Sequence, residues 1–212
     1  MRIEVVSDVV CPWCYIGKRR LEKALAAFDG DVEVVYRPYQ LDPTAASDGR
    51  PLREALGKRY GAQAVPRMIE HAASAGRSEG LEMDWDRAIA ANTFDAHRLM
   101  GLALREHGPE IQRALADKLF EAHFARGLDV GNRDVLADVG AETGVHRARA
   151  VEFLASEEGV QETREQIDEA RAGGIDGVPT FIVDQQYMIQ GAQPAAVIRQ
   201  LLEQIASGRV PS

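Results

Sequence analysis

The chain has 212 residues, 45% of them hydrophobic, and its 25 Lys and Arg residues are outnumbered by 33 Asp and Glu, for a formal net charge of −8. This composition is typical of a globular protein with a buried core. The acidic balance gives no sign of a nucleic-acid surface, and no apolar run reaches the roughly 20 residues of a membrane span. The N-terminus lacks the regions of a signal peptide, so for a complete chain we predict a cytoplasmic protein that binds neither nucleic acid nor membrane.

The first forty residues have the pattern of a β-α-β unit. Apolar residues predict a strand over residues 3–9, and a helix is expected over residues 14–25. A turn at residues 29–31 precedes a second run of β-formers over residues 32–39. A parallel return strand requires a right-handed crossover, so the helix should cover one face of a sheet that holds both strands.

A long interval with almost no strand signal follows a loop over residues 40–50. Helical periodicity predicts a helix that is capped by Asp84 or Asp86 and carries an apolar stripe through Met100 and Leu104. Further helices are expected over residues 52–60, 64–75, 109–127, 132–143, 147–155 and 156–172, the last of them capped by Ser156.

The strand signal returns near the C-terminus. Residues 180–183 and 187–190 predict an antiparallel hairpin that is closed by a turn at residues 184–186. Pro194 then opens a terminal helix with a continuous apolar stripe, and the tail from Gly208 is expected to fray.

The only two cysteines, Cys11 and Cys14, flank Pro12 and Trp13 between the first predicted strand and the first predicted helix. The unpaired N–H groups of a helix's first turn carry partial positive charge, which stabilises a thiolate at Cys11 as the nucleophile. Cys14, a turn further in, would be the buried resolving thiol. A closed zinc site needs four ligands, and the sequence has neither a second cysteine pair nor a paired-histidine spacing, so we predict no metal. In a cytoplasmic protein, a lone Cys-x-x-Cys favours redox catalysis over a structural disulfide.

Several segments spread over nearly the whole chain carry a family resemblance. They are Ser7-Asp8 with Cys11-Pro12-Trp13-Cys14-Tyr15-Ile16-Gly17, Asn92-Thr93 with Ala96-His97, Gly177-Val178-Pro179-Thr180-Phe181, and Gly191-Ala192-Gln193. On these segments the chain resembles the DsbA family of oxidoreductases, and within it the FrnE-like branch. The resemblance implies an α/β, thioredoxin-like fold of order β-α-β, helical insert, β-β-α. Residues 1–45 and 174–212 would form a discontinuous thioredoxin-like domain, and residues 46–173 an all-helical insertion domain.

The resemblance also implies roles for the residues around the thiols. In the family the bond at the position of Pro179 is cis, its loop packs against the two thiols, and the backbone of the preceding residue, here Val178, pairs with an extended substrate segment. The pair Pro12-Trp13 between the cysteines tunes the redox poise of the dithiol. Periplasmic oxidants of the family typically carry Pro-His at these positions. We therefore expect a milder potential for this dithiol, with a steady state that is set by the cytosolic thiol pool. Trp13 either offers an apolar face to substrate or packs as a cap on the site.

Other residues complete the predicted site. Asp8 is a candidate proton acceptor for Cys14. We interpret His97 as a half-buried helical histidine that hydrogen-bonds across a domain seam, and Asn92 as having a similar architectural role. Candidate substrate-binding residues are Tyr39, Asn92, His97, Gly191, Ala192 and Gln193. Lys18, Arg19 and Arg20 are expected to form a solvated helix face, and ordinary surface or helix positions are expected for His71, His107, His123 and His146.

The leading functional hypothesis is thiol-disulfide exchange with a protein or small-molecule substrate, by a monomer or homodimer without a cofactor and with glutathione as a candidate redox partner. A second hypothesis is a glutathione-dependent enzyme acting on a small aromatic molecule. The helical insert resembles 2-hydroxychromene-2-carboxylate isomerases and kappa-class glutathione transferases, but those relatives usually have Ser where this chain has Cys11. A polyketide-pathway redox step, associated with FrnE-like proteins, and a peptide-binding chaperone with an apolar groove near Trp13 and Val178 are further alternatives.

Overall fold

The computed structural model describes residues 1–209, and a four-stranded sheet lies at its centre. Strands β1 (Arg2–Ser7) and β2 (Glu33–Pro38) are parallel, and helix α1 (Pro12–Ala26) crosses between them. Strand β3 (Thr180–Val183) runs antiparallel to β1 and pairs with β4 (Tyr187–Gln190). The resulting order, β2-β1-β3-β4, confirms the thioredoxin-like arrangement expected from the sequence.

The pairing of the strands shows which residues lie side by side in the sheet. Val5 of β1 lies opposite Tyr36 of β2 and Phe181 of β3, and Phe181 lies opposite Ile189 of β4. Because β1 and β2 are parallel, their carboxyl ends meet at one edge of the sheet. The turn that leads into α1 and the loop that follows β2 therefore start side by side.

The segment between β2 and β3 is helical, apart from one isolated bridge between Pro51 and Ile89 in the part of the chain that the structure describes. Helix α9 (Ala195–Ala206) follows β4 and packs against α1. The helices of the insertion are α2 (Leu52–Tyr60), α3 (Val65–Ser78), α4 (Phe94–His107), α5 (Pro109–Phe124), α6 (Arg133–Ala141), α7 (Arg147–Ala155) and α8 (Val160–Ala172).

Two predicted helix starts are wrong. Asp84 caps only a single turn, because its carboxylate accepts hydrogen bonds from the N–H groups of Asp86 and Arg87. The chain then extends to form the bridge at Ile89, so α4 begins ten residues after Asp84, at Phe94. Ser156 ends α7, and α8 begins only after Gly159, whose φ of 73° lies in the left-handed region.

The insertion shares its core with the sheet. The largest cluster of buried apolar side chains joins Ile3 and Val5 of β1 and Phe181 of β3 to Leu99 of α4 and Leu119 of α5. Rigid packing of this kind fixes the helices against the edge of the sheet. The prediction of a frayed tail from Gly208 falls mainly on residues 210–212, which lie outside the described residues.

Candidate active site

The two thiols lie at the N-terminus of α1. Cys11 is the N-cap residue, and its carbonyl accepts hydrogen bonds from the N–H groups of Cys14 and Tyr15, at 3.1 and 3.2 Å. The N–H of Cys11 donates to the Asp8 carbonyl at 3.0 Å, which fixes the turn between β1 and α1. Both cysteines are free thiols, with 4% of Cys11 and 2% of Cys14 exposed.

The surroundings of the two sulfur atoms differ. Burial raises the pKa of the Cys14 thiol well above its ordinary value, and hydrogen bonding to Cys11 raises it further. Hydrogen bonds from the Asp8 backbone and the Ser7 side chain only partly oppose these effects. Cys14 is therefore a protonated thiol at neutral pH, held directly behind Cys11.

The loop before β3 packs against this dithiol. The Val178–Pro179 peptide bond is cis, and the Val178 carbonyl oxygen lies 3.8 Å from the Cys11 Sγ. Gly17 of α1 permits this approach, because a Cβ at that position would lie 2.7 Å from the Pro179 side chain. Gly17 belongs to the Cys-x-x-Cys motif segment, and its close contact with Pro179 gives it a structural role.

Trp13 packs over the site as a cap, one of the two roles that the sequence left open, and its contact with substrate stays a prediction. It is half-buried, packs against the apolar cluster that contains Cys11 and Cys14, and meets the ring of the exposed His71 edge-on at 4.9 Å. Beneath the dithiol, the Tyr15 ring stacks on Phe120 at 5.0 Å. One face of the site is therefore apolar and rigid.

Asp8 links the dithiol turn to the insertion. One carboxylate oxygen accepts a hydrogen bond from the Leu41 N–H at 2.8 Å, and the other lies 3.3 Å from the Nε2 of His97 on α4. His97 is buried rather than half-buried, and it crosses between the sheet and the insertion as expected. Because Asp8 reaches Cys14 through its backbone, the proton-acceptor role of its carboxylate stays a prediction.

One histidine that we expected at an ordinary surface or helix position lies deep in the protein. His123 of α5 is 0% exposed, neither ring nitrogen has a hydrogen-bond partner among the described residues, and its ring meets Phe124 edge-on at 4.5 Å. Burial lowers the pKa of His123 to about 4, although the nearby Asp8 charge acts in the opposite direction. His123 is therefore a neutral core residue.

Two further groups shape the loops around the thiols. The Asn92 side chain holds the segment after β2, because it donates to the carbonyls of Pro43 and Ala45 and accepts from Gln40. Tyr39 is buried and packs in one cluster with Val178. Both residues lie on the β2 side of the site.

On the opposite side, the loop over Gly191, Ala192 and Gln193 is tied to the dithiol region. The Gly191 N–H donates to the Pro179 carbonyl at 2.8 Å, and Arg20 of α1 donates to the Ala192 carbonyl. Arg20 also pairs with Glu79 at 2.7 Å. This contact, which no sequence pattern indicated, fixes the loop beside the thiols.

The prediction of a solvated face on α1 is wrong in part. Lys18 is only 3% exposed, and its Nζ contacts Glu22 at 2.6 Å and Asp117 of α5 at 2.7 Å. A buried ammonium group needs such partners, because desolvation of an unpaired charge is costly. Lys18 therefore connects α1 to α5, and Arg20 connects α1 to the Ala192 loop.

Among the described residues, no group of three or more His, Cys, Asp or Glu side chains is arranged to hold a metal ion. No helix of residues 1–209 combines the length and the apolar character needed to cross a membrane.

Comparison with known proteins agrees with this geometry. The model of the DSBA-like thioredoxin domain matches residues 2–203, so the chain belongs to that family. A crystal structure of a probable DsbA oxidoreductase, SCO1869 of Streptomyces coelicolor, is 36% identical, with a TM-score of 0.86 over 100% of this chain and 92% of the other.

Two more distant solved structures share the fold. The cytosolic disulfide reductase DsbM of Pseudomonas aeruginosa, solved with GSH, is 20% identical, with a TM-score of 0.67 over 98% of this chain and 100% of the other. A 2-hydroxychromene-2-carboxylate isomerase is 18% identical, with a TM-score of 0.62 over 99% of this chain and 95% of the other.

Proposed function

We propose that the protein is a thiol-disulfide oxidoreductase of the FrnE-like branch, with Cys11 as nucleophile and Cys14 as resolving thiol. The observation that carries the proposal is the pairing of a cysteine at the N-terminus of α1 with a second, buried cysteine directly behind it. The cis bond at Val178 and Pro179 and membership of the DSBA-like family support the same function.

In the reducing direction, the Cys11 thiolate attacks one sulfur of a substrate disulfide. An S–S bond forms between Cys11 and the substrate, and the other substrate sulfur leaves as a thiolate. Cys14 then loses its proton and attacks the Cys11 sulfur, which releases the second substrate thiolate and leaves the Cys11–Cys14 disulfide. The substrate has gained two electrons and the dithiol has lost two. The same steps in reverse oxidise a dithiol substrate.

The environment of Cys14 suits the resolving role. The raised pKa of Cys14 keeps that thiol protonated, so Cys11, at the N-terminus of α1, is the nucleophile. The Val178 carbonyl, 3.8 Å from the Cys11 sulfur, is a hydrogen-bond acceptor for an extended substrate segment that crosses the site. Trp13, with the His71 ring edge-on against it, supplies an aromatic wall beside it.

The cellular setting is part of the proposal. We propose a cytoplasmic enzyme that uses glutathione as its redox partner. DsbM, a cytosolic disulfide reductase solved with GSH, has the same fold. Pro12 and Trp13 between the thiols carry no cationic side chain, which favours a potential less oxidising than that of periplasmic oxidants.

A redox titration and a variant pair test the function. Equilibration in graded glutathione buffers, with alkylated thiols counted by mass, should show one two-electron transition between about −120 and −270 mV. Cys11→Ser should abolish insulin reduction, whereas Cys14→Ser should retain attack and accumulate a mixed disulfide. Full insulin reduction by Cys11→Ser would overturn the proposal.

The same experiment separates the second candidate, a glutathione-dependent isomerase, which is favoured only by the shared fold with 2-hydroxychromene-2-carboxylate isomerase. That activity predicts tight glutathione binding and turnover of an aromatic electrophile by Cys14→Ser. It also predicts no intramolecular disulfide in the titration.

A holdase activity that survives loss of both thiols would instead support the chaperone alternative.

A further inference from the structure

A second concave surface lies apart from the dithiol. A cavity of about 660 Å³ opens between α8, the first residues of α4 and α6, and the loop after β2. Cavities of this volume are typical of small-molecule sites. Its walls include Gln40, Phe94, Arg164, Ile167 and Arg171, and neither cysteine is among them.

Two arginines in this wall are held in place by aromatic rings. The Arg164 guanidinium lies 5.7 Å from the centre of the Phe94 ring, and the Arg171 guanidinium lies 5.6 Å from the centre of the Tyr39 ring. Arg171 also donates to the Gln40 carbonyl at 3.1 Å. Within residues 1–209, neither guanidinium is within ion-pair distance of a carboxylate. Stacking on a ring limits the orientations of each guanidinium and leaves its N–H edge available for an anion.

The other two arginines of the cavity have structural roles. Arg133 pairs with Asp95 at 2.7 Å. Arg98 is buried, and its donors are used by Asp95 and by the carbonyls of Ser156 and Glu158. The cationic groups available to a ligand are therefore the guanidinium groups of Arg164 and Arg171.

The side chains that line the cavity carry a small excess of positive charge. Four arginines and three carboxylates line it, although the whole chain is acidic. Asp95 is neutralised by its two arginine partners, whereas Glu157 and Asp168 are not paired within the described residues. The first residues of α4, α6 and α8 also lie in the wall, and helix N-termini contribute partial positive charge.

The spacing of the two arginines defines the shape of the ligand. Arg164 and Arg171 are two helical turns apart on one face of α8, which separates them by about 10 Å along the axis. Ile167 lies between them on the same wall, but it is only 5% exposed and offers almost no surface to a ligand. Two cations at this spacing match a molecule with a carboxylate at each end.

We propose that this cavity binds an elongated organic dianion, whose two carboxylates pair with Arg164 and Arg171. Each guanidinium can form two parallel hydrogen bonds with a carboxylate. This site does not depend on the thiol chemistry, because neither Cys11 nor Cys14 lines the cavity.

Linear dicarboxylates of increasing length are the probes for this site. We would titrate succinate, adipate, suberate and sebacate into the protein by calorimetry at constant ionic strength, with octanoate as the matched monocarboxylate. Suberate should bind at least about tenfold more tightly than octanoate and than succinate, because only a long dianion reaches both arginines. Equal affinity for suberate and octanoate, or no binding of any diacid, would overturn the proposal.

Variants locate the site. Arg164→Gln and Arg171→Gln should each reduce suberate affinity to the level of octanoate, and Asp168→Asn should raise it about twofold to fivefold by removing a repulsive charge. Arg67→Gln, at an exposed arginine of α3 outside the cavity, is the control and should bind like wild type. Circular dichroism would verify that each variant is folded. A loss in Arg67→Gln as large as in Arg164→Gln would contradict the assignment.

Repeating the suberate titration with Cys11→Ser keeps this proposal separate from the redox function. Binding that is unchanged in this variant would show an anion site that is independent of the dithiol. Binding that requires the Cys11 thiol would place the diacid at the active site and would refute the assignment to Arg164 and Arg171.

Discussion

The two ends of α5 bury polar side chains in opposite ways. At its first turns, Gln112 is 1% exposed and satisfies both backbone groups of Tyr36: its Oε1 accepts from the Tyr36 N–H at 2.8 Å, and its Nε2 donates to the Tyr36 carbonyl at 3.0 Å. At its last turn, His123 is equally buried but has no partner for either ring nitrogen among the described residues. The same helix therefore contains one satisfied and one unsatisfied buried polar group.

The difference follows from what each end covers. β2 is an edge strand, and an edge strand leaves backbone groups that need partners. Gln112 supplies these partners from the insertion, so it acts as a substitute for a neighbouring strand. The far end of α5 packs in the apolar cluster of the dithiol, with Phe120 and Phe124, where none of the described residues gives His123 a polar partner. The first turns of α5 thus supply hydrogen-bond partners to the edge strand β2, and its last turns shield the dithiol from water.

The largest effect is expected at Gln112. Gln112→Leu should cost about 4 kcal/mol in the free energy of unfolding, because each unpaired buried backbone group costs about 1–3 kcal/mol. Urea unfolding at pH 7 would measure it. Gln161→Leu, at an exposed glutamine of α8, is the control and should change stability by less than about 0.5 kcal/mol. A loss below about 1 kcal/mol in Gln112→Leu would show that β2 does not depend on this side chain.

The sequence predicted the dithiol, the β-hairpin and most helices, because these follow from local patterns such as Cys-x-x-Cys between a strand and a helix. It did not reveal the Gln112 contact, since Tyr36 lies 76 residues earlier in the chain. Periodicity marks an apolar face but does not name the partner of a polar residue on that face.

Some missed residues did have a signal. His123 follows Leu115 and Leu119 at four-residue steps on the apolar stripe of α5, and Lys18 follows Cys14 at the same step on α1. Their positions on the apolar faces predict burial, although histidine and lysine are usually exposed. Periodicity could not predict that α4 starts at Phe94, because the extended segment at Ile89 pairs with Pro51, which is distant in the sequence.

The next largest effect concerns His123 and pH. Its pKa is about 4 in the folded protein, below the value of about 6.5 that is expected when it is unfolded. The unfolded state therefore binds the proton first, and stability should fall as pH decreases from about 6.5 to about 4, by on the order of 3 kcal/mol. Urea unfolding between pH 7 and pH 4 would measure this loss.

A variant isolates the contribution of His123. His123→Phe keeps the aromatic contact with Phe124 and removes the titrating group, so the decrease in stability below pH 6.5 should become shallower. At pH 7 it should be at least as stable as wild type, because two unpaired buried nitrogens are lost. His107→Phe, at an exposed histidine, should leave the pH profile unchanged. An unaltered profile in His123→Phe would assign the acid sensitivity to other groups.

The smallest effect is expected midway along α5, where Asp117 contacts the buried Lys18 of α1. Among the described residues, Asp117→Asn leaves Glu22 as the only carboxylate paired with that ammonium. The change should cost about 1–2 kcal/mol at pH 7, because the lysine is desolvated while Asp117 is half open to solvent. Asp138→Asn breaks an exposed pair with Arg147 and should cost less than about 0.5 kcal/mol. If Lys18→Met removes the sensitivity to Asp117→Asn in a double-mutant cycle, the effect belongs to the pair. If the two changes are additive, α5 is held to α1 by its apolar contacts alone.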